Sequence, residues 1–184
     1  MRWLQLLFVL LLVPLAACSL NGRSNSYPLE VRGPYTLDGD DVLRVTVYGE
    51  DALTKTYKVD DAGTVSFPLI GQVKVRGLTV AQAAGAIAAG LADGFMRNPN
   101  VSAEIDTYRP FFIQGAVQGG GQFPYVSGMT VRAAVSTAGG YSDTANRNRV
   151  TIYRKQGDQM VKSTVDLDFP IYPGDTIVVA ERWL

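Results

Sequence analysis

Past residue 34 the chain alternates short β-branched runs with two helical stretches. Val42-Leu43-Arg44-Val45-Thr46-Val47-Tyr48 has the apolar-polar alternation of a half-buried strand. Residues 55–59 and 64–67 flank Asp60-Asp61-Ala62-Gly63, whose turn chemistry predicts a hairpin. Pro68 ends the second of these runs, and residues 71–75 are expected to continue the sheet after a bend. Thr79-Val80-Ala81-Gln82 has the form of a helix capping box. Val80, Ala84, Ile87 and Leu91 then share one face of a helix that Gly94 closes. That face is expected to pack on the chain's own sheet, although its pattern also suits a partner or cofactor. Val101, Ala103 and Ile105 mark a returning strand within residues 100–108.

A second unit starts at Arg109-Pro110. Residues 111–117 read as a strand and 118–121 as a turn. Thr130 caps a short helix that runs to Ala138 and is stopped by Gly139-Gly140. Residues 149–155 and 160–165 enclose Gln156-Gly157-Asp158 as a hairpin, and residues 176–180 form a last strand. One helix among several strands in each unit predicts an α+β fold of two small domains. A weak internal echo accompanies this: Gly39-Asp40-Asp41 and Pro173-Gly174-Asp175 each place a turn before an apolar strand.

The first residues read differently. Met1-Arg2, an apolar run from Trp3 to Leu15 and Leu15-Ala16-Ala17-Cys18 form a secretory signal with a small-residue cleavage site. The run is shorter than the roughly 20 apolar residues that a transmembrane helix needs. An ordinary signal peptide followed by a chance cysteine would look similar. Against chance, Cys18 is the chain's single cysteine and stands at the cleavage site.

Composition removes whole classes of chemistry. The 17 basic and 17 acidic side chains balance, and loss of residues 1–17 takes away Arg2 alone. No net field then draws in nucleic acid, and no nucleic-acid partner is expected. With no histidine and one cysteine, the common zinc ligand sets, the Ser-His and Cys-His pairs and an internal disulfide are all excluded. No cofactor or metal is expected. The remaining acid/base candidates are Glu50/Asp51, Asp60/Asp61 and Asp166/Asp168. A glycosidase requires two carboxyls roughly 5–9.5 Å apart, and these pairs fall in turns and polar connections, where solvated roles are expected. Tyr125, Tyr141, Tyr153 and Tyr172 offer rings for stacking on sugars, or for ordinary strand packing with exposed hydroxyls. Trp183 is one aromatic near the end, too little for an assignment.

Leu15-Ala16-Ala17-Cys18 resembles the lipobox of bacterial lipoproteins, which implies acylation of the Cys18 sulfur and cleavage before it. Each buried methylene contributes about 0.8 kcal/mol, so several acyl chains hold such a protein on a membrane. By the same resemblance, Ser19 after the cysteine implies sorting to the periplasmic face of the outer membrane.

The body is similar to the polysaccharide biosynthesis/export family, typified by outer-membrane capsule exporters. The segments that carry the first half are Tyr35-Thr36-Leu37, Asp41 to Gly49, Val59 to Gly71, Gly77-Leu78-Thr79 and Asn98-Pro99-Asn100-Val101. Arg109-Pro110-Phe111-Phe112-Ile113, Gly115-Ala116-Val117, Gly128-Met129-Thr130-Val131, Ala138-Gly139-Gly140 and Pro173-Gly174-Asp175 resemble the family's soluble-ligand-binding β-grasp (SLBB) domain. The resemblance implies a leader at 1–17, a lipidated tether at 18–33, an export domain at 34–108 and a β-grasp domain at 109–184. It implies no enzyme, and a homo-oligomeric periplasmic ring through which polysaccharide passes. The implied partners are an inner-membrane copolymerase, often bearing a tyrosine kinase, and an outer-membrane β-barrel.

Three departures stand out. The family's first turn is usually Pro-Gly-Asp, against Gly39-Asp40-Asp41 here. Gly120-Gly121-Gln122-Phe123 replaces a Pro-Gly that often precedes a Tyr. Long members also add further domains and a C-terminal amphipathic pore helix, whereas this sequence ends at Glu181-Arg182-Trp183-Leu184. The expectation is that a partner completes the channel. A sugar-binding module and a carboxylate-dependent envelope glycosidase are the alternatives.

Overall fold

The computed structural model describes residues 34–157 and 159–182, and within these the chain builds two hydrophobic cores. The first core lies under a three-stranded antiparallel sheet of order β2-β1-β5. In its central strand β1 (Val42–Val47), Leu43, Val45 and Val47 are buried, as strict alternation requires. A single 3-10 turn (Asp51–Leu53) leads into β2 (Lys55–Lys58), and β5 (Val101–Thr107) pairs along the other edge. Val101, Ala103 and Ile105 of β5 face this core, as their spacing predicts.

Helix α1 (Val80–Ala92) buries Ala83, Ala84, Ile87 and Leu91, while Val80 is half-buried at its start. Its capping box is complete. The Gln82 N–H donates to the Thr79 hydroxyl at 3.3 Å, and the Thr79 N–H donates to the Gln82 side chain at 2.8 Å.

The hairpin expected across Asp60-Asp61-Ala62-Gly63 is not the one that forms. The turn itself closes: Asp60 N–H donates to the Thr64 carbonyl at 2.9 Å, and the Asp60 carboxylate accepts from the Thr64 N–H and hydroxyl at 2.7 and 2.6 Å. Yet β2 pairs with β1, and β3 (Thr64–Phe67) pairs with β4 (Gly71–Lys74) as a separate two-stranded sheet. The reason lies in side chains. Tyr57 of β2 and Phe67 of β3 stack at 4.6 Å inside the core, so β3 crosses β2 through packed rings and its backbone ladder goes to β4. Leu69, at φ 71°, makes the tight connection between β3 and β4.

The second core lies under a five-stranded sheet of order β7-β6-β10-β8-β9. Strands β6 (Phe111–Gly115) and β7 (Gly121–Phe123) form one hairpin, β8 (Ala145–Gln156) and β9 (Gln159–Val165) another. The last strand, β10 (Thr176–Glu181), enters between them, parallel to β6 and antiparallel to β8. Helix α2 (Val131–Thr137) buries Val131, Ala134 and Val135, and the Thr130 hydroxyl accepts from the Ala133 N–H. Two hairpins, a helix and a central final strand make the β-grasp arrangement, and the whole is α+β. Strand β8 begins four residues before the run expected at 149–155. Residues 146–149 are polar and lack inward apolar positions, so alternation could not reveal them, whereas Glu181 pairs with Ala145 across a register shift.

Candidate functional site

The echo of Gly39-Asp40-Asp41 in Pro173-Gly174-Asp175 is a repeated structural device. In the first copy, Asp41 N–H donates to the Asp38 carbonyl (3.3 Å) and Asp38 N–H donates to the Asp41 carboxylate (2.9 Å). In the second, Asp175 N–H donates to the Tyr172 carbonyl (3.1 Å) and Tyr172 N–H donates to the Asp175 carboxylate (2.7 Å). Each turn is stapled by the carboxylate of its last residue, immediately before β1 or β10. Asp41 and Asp175 are the buried charged side chains among the described residues.

A buried carboxylate must be paired and hydrogen-bonded. Asp175 receives a two-pronged guanidinium from Arg154, Nε at 2.8 Å and Nη2 at 2.6 Å. Asp41 is met from the other unit: the Arg109 N–H donates at 2.9 Å and Arg109 Nη1 at 3.1 Å, while the Tyr35 hydroxyl lies 2.8 Å from both carboxylate oxygens. Arg109 also crowds the second turn, its Nε lying 2.9 Å from where a β-carbon on Gly174 would stand. It is therefore wedged between the two copies of the turn. Arg109→Met removes the guanidinium but keeps the stem and the backbone bond. We expect a loss of about 2–3 kcal/mol, read as a lowered urea midpoint, with Arg109→Lys recovering only part of it because it lacks the fork of donors.

The departure from Pro-Gly-Asp in the first turn has a cost that the geometry locates. Gly174 adopts φ 82°, and its counterpart Asp40 is held at φ 71°. Left-handed backbone costs an ordinary residue about 1–2 kcal/mol, and Asp somewhat less. The bond from Lys58 to Asp40 is solvent-exposed and offsets little of this. Asp40→Gly is expected to raise the thermal midpoint by about 2–4 °C in differential scanning calorimetry.

Between the units the twin turns frame a cleft of ≈ 640 Å³. Tyr35, Tyr108, Tyr125 and Tyr172 supply its aromatic wall. Tyr108 stands edge-on to both Tyr35 (5.1 Å) and Tyr125 (5.4 Å), so these three rings form a row. Asp38, Arg76, Arg109 and Lys155 supply charge. The Asp38 carboxylate sits 2.7 Å from Arg76 Nε and 4.0 Å from Lys155 Nζ. Burial pulls its pKa up, but the Gly39 N–H and the charges of Arg109, Lys155 and Arg76 outweigh burial and leave it below the ordinary carboxylate range. Burial pushes the Tyr35 hydroxyl far above the usual phenol range, with the Asp41 carboxylate adding to the shift against the pull of Arg109.

The side chains singled out from sequence scatter. Glu50, Asp51, Asp60, Asp61, Asp166 and Asp168 are all exposed, and Asp168 pairs with Arg132 at 2.9 Å on the surface. Of the four tyrosines, Tyr125 and Tyr172 line the cleft. Tyr141 instead bridges to Val117, and Tyr153 lies in β8 opposite Lys162. Cys18, Asp158 and Trp183 lie outside the described residues, as do the leader and the tether. Tyr35, Tyr108, Arg109, Arg154 and the paired roles of Asp41 and Asp175 escaped the sequence reading. The turn echo marked Asp41 and Asp175, and the segments that carry the family resemblance held Tyr35 and Arg109 as well, but neither signal gave any of them a role.

Both units match known families. The family described as "Polysaccharide biosynthesis/export protein" matches residues 29–106, and the SLBB domain matches residues 110–163. The exopolysaccharide production protein ExoF of Rhizobium meliloti (strain 1021) is 33% identical over 100 residues, 53% of this chain and 24% of its own length. The polysialic acid transport protein KpsD of Escherichia coli is 28% identical over 160 residues, 80% of this chain and 28% of its own. The chain thus spans 24–28% of the length of these relatives. With both domains matched in tandem across most of its described residues, the chain belongs to the polysaccharide biosynthesis/export family.

Proposed function

We propose that this protein is a non-enzymatic, lipid-anchored component of a polysaccharide-export machine on the periplasmic face of the outer membrane. The observation that carries this reading is the tandem order of an export domain and a β-grasp domain in one chain. In this reading the export domain spans residues 34–108, the β-grasp domain 109–184, and Cys18 carries the acyl chains after removal of residues 1–17. Several copies form a ring that conducts the polymer. Support for ring contacts comes from β7 and β9, the outer strands of the five-stranded sheet, because edge strands offer unpaired backbone groups to a neighbouring copy. The proposed partners are an inner-membrane copolymerase with a tyrosine kinase and an outer-membrane β-barrel. The names of the relatives, an exopolysaccharide production protein and a polysialic acid transport protein, support a polysaccharide as the cargo.

The carboxylates favour a conduit over a glycosidase. Asp41 and Asp175 are closed into ion pairs, and the six acidic residues considered as catalytic pairs are exposed. A deletion strain is expected to lose surface and secreted polymer, wild-type protein to restore it, and Cys18→Ala to restore little. Unchanged amounts outside the cell with a shifted chain length would replace this reading with polymer trimming.

A further inference from the structure

We infer that the cleft between the two units is a binding site for a short segment of acidic glycan, a saccharide that carries a carboxylate; the inference rests on the export reading and specifies where that reading places the polymer. Sites for small ligands favour domain interfaces, enclose about 300–1,000 Å³ and combine aromatic walls with a few placed polar groups. The cleft meets each condition at ≈ 640 Å³. A pyranose has an apolar C–H face and a rim of hydroxyls. Tyrosine matches both, because its ring is a rigid apolar plate and its hydroxyl a donor and acceptor, with little side-chain freedom to lose. Tyr35, Tyr108 and Tyr125 line the cleft as an edge-to-face row in which neighbouring rings stand nearly perpendicular, so that ring faces and ring edges alternate, and Gln156 and Ser127 add polar groups.

Charge selects the kind of sugar. The Arg109 charge is balanced by Asp41 behind it, and Arg76 is balanced by Asp38. Lys155 reaches the same Asp38 carboxylate only at 4.0 Å, and its side chain is 52% exposed. Among the described residues the cleft thus sets three cations, Arg76, Arg109 and Lys155, against the two carboxylates Asp38 and Asp41, and Lys155, the most loosely held of the three, has a flexible stem that can turn to a ligand. A neutral saccharide leaves the Lys155 charge unused. A carboxylate on the saccharide answers it with a charge-assisted hydrogen bond. The wall stays in place without ligand, since Arg109 binds the first turn and fills the space beside the second. Binding then requires little ordering of the protein.

The test uses the full chain in detergent micelles, titrated with trigalacturonate, maltotriose and inorganic phosphate by calorimetry, with tyrosine ring signals followed by NMR. Trigalacturonate is expected to bind saturably and to move the ring signals of Tyr108 and Tyr125, with maltotriose weaker. Lys155→Gln, a surface change that leaves the fold intact, is expected to weaken trigalacturonate about tenfold, and Lys155→Arg to retain most of the affinity. Absence of saturable binding, equal affinity in Lys155→Gln, or phosphate binding as tightly as trigalacturonate overturns the inference. The two readings fail separately. A chain that restores export in the deletion strain but binds no trigalacturonate sinks the cleft and leaves the export function. A chain that binds it through Lys155, in a strain whose export never needed the protein, does the reverse.

Discussion

Replacing Arg154 with leucine is expected to unfold the β-grasp unit well before the wild type, at a cost of about 3–5 kcal/mol. Asp175 is 1% exposed and Arg154 13%, so water cannot take over the lost bonds. The guanidinium makes both bonds to the carboxylate, donates a third to the Pro170 carbonyl at 3.2 Å, and lies 4.2 Å from the Tyr172 ring centre. Leucine fills part of the volume and leaves a buried negative charge with the Tyr172 N–H. A domain stable by about 5–15 kcal/mol loses a large share of that reserve. Urea denaturation followed by circular dichroism measures the loss. The double variant Arg154→Leu with Asp175→Asn is the control, because it removes the stranded charge along with its partner. It is expected to recover a substantial part of the loss, and a double variant no better than Arg154→Leu alone would show that packing against Phe169 and Tyr172, and not charge, holds this corner.

The second large effect is expected at Gly115, the last residue of β6. Its φ is 93°, and a β-carbon there would stand 2.2 Å from the Val179 carbonyl oxygen and 3.1 Å from its carbon. That obstacle is backbone of β10, the strand shared by both halves of the sheet, and the same oxygen accepts the Ala116 N–H at 2.9 Å. It cannot swing aside as a side chain would. Gly115→Ala is expected to cost about 4 kcal/mol or more, the left-handed penalty plus displacement of a central strand. Gly49→Ala isolates the first part, since Gly49 has φ 87° but no heavy atom within 4 Å of the added carbon. It is expected to lose about 1 kcal/mol. Equal midpoints for the two variants would mean that β10 yields easily, contrary to its place between β6 and β8.

How much of this was legible beforehand depended on the distance over which each feature is encoded. The α1 capping box spans residues three apart and was readable from Thr79 and Gln82. So were both helices, the β8-β9 hairpin and the alternation of β1 and β5. The partners of the buried carboxylates were not. Arg109 stands 68 positions from Asp41, and Arg154 stands 21 from Asp175. Arginines and aspartates at such separations are common in any chain, and burial, which turns these two pairs into structural necessities, has no signature in residue type alone.

The sequence by itself determined the two-unit α+β order, the helix caps, the turns and the family, because each rests on residues that interact within a few positions or on motifs in fixed order. Tertiary structure alone decided that β3 pairs with β4 and not with β2, since stacking Tyr57 on Phe67 outweighs continuing the ladder across an adequate turn. It alone also brought Tyr35, Tyr108, Tyr125 and Tyr172 to one cleft and placed Arg109 between two matching turns. Those arrangements rest on contacts between residues far apart in sequence, a ring stack within the first unit and a buried ion pair between the units, and such contacts become visible only when the chain is closed upon itself.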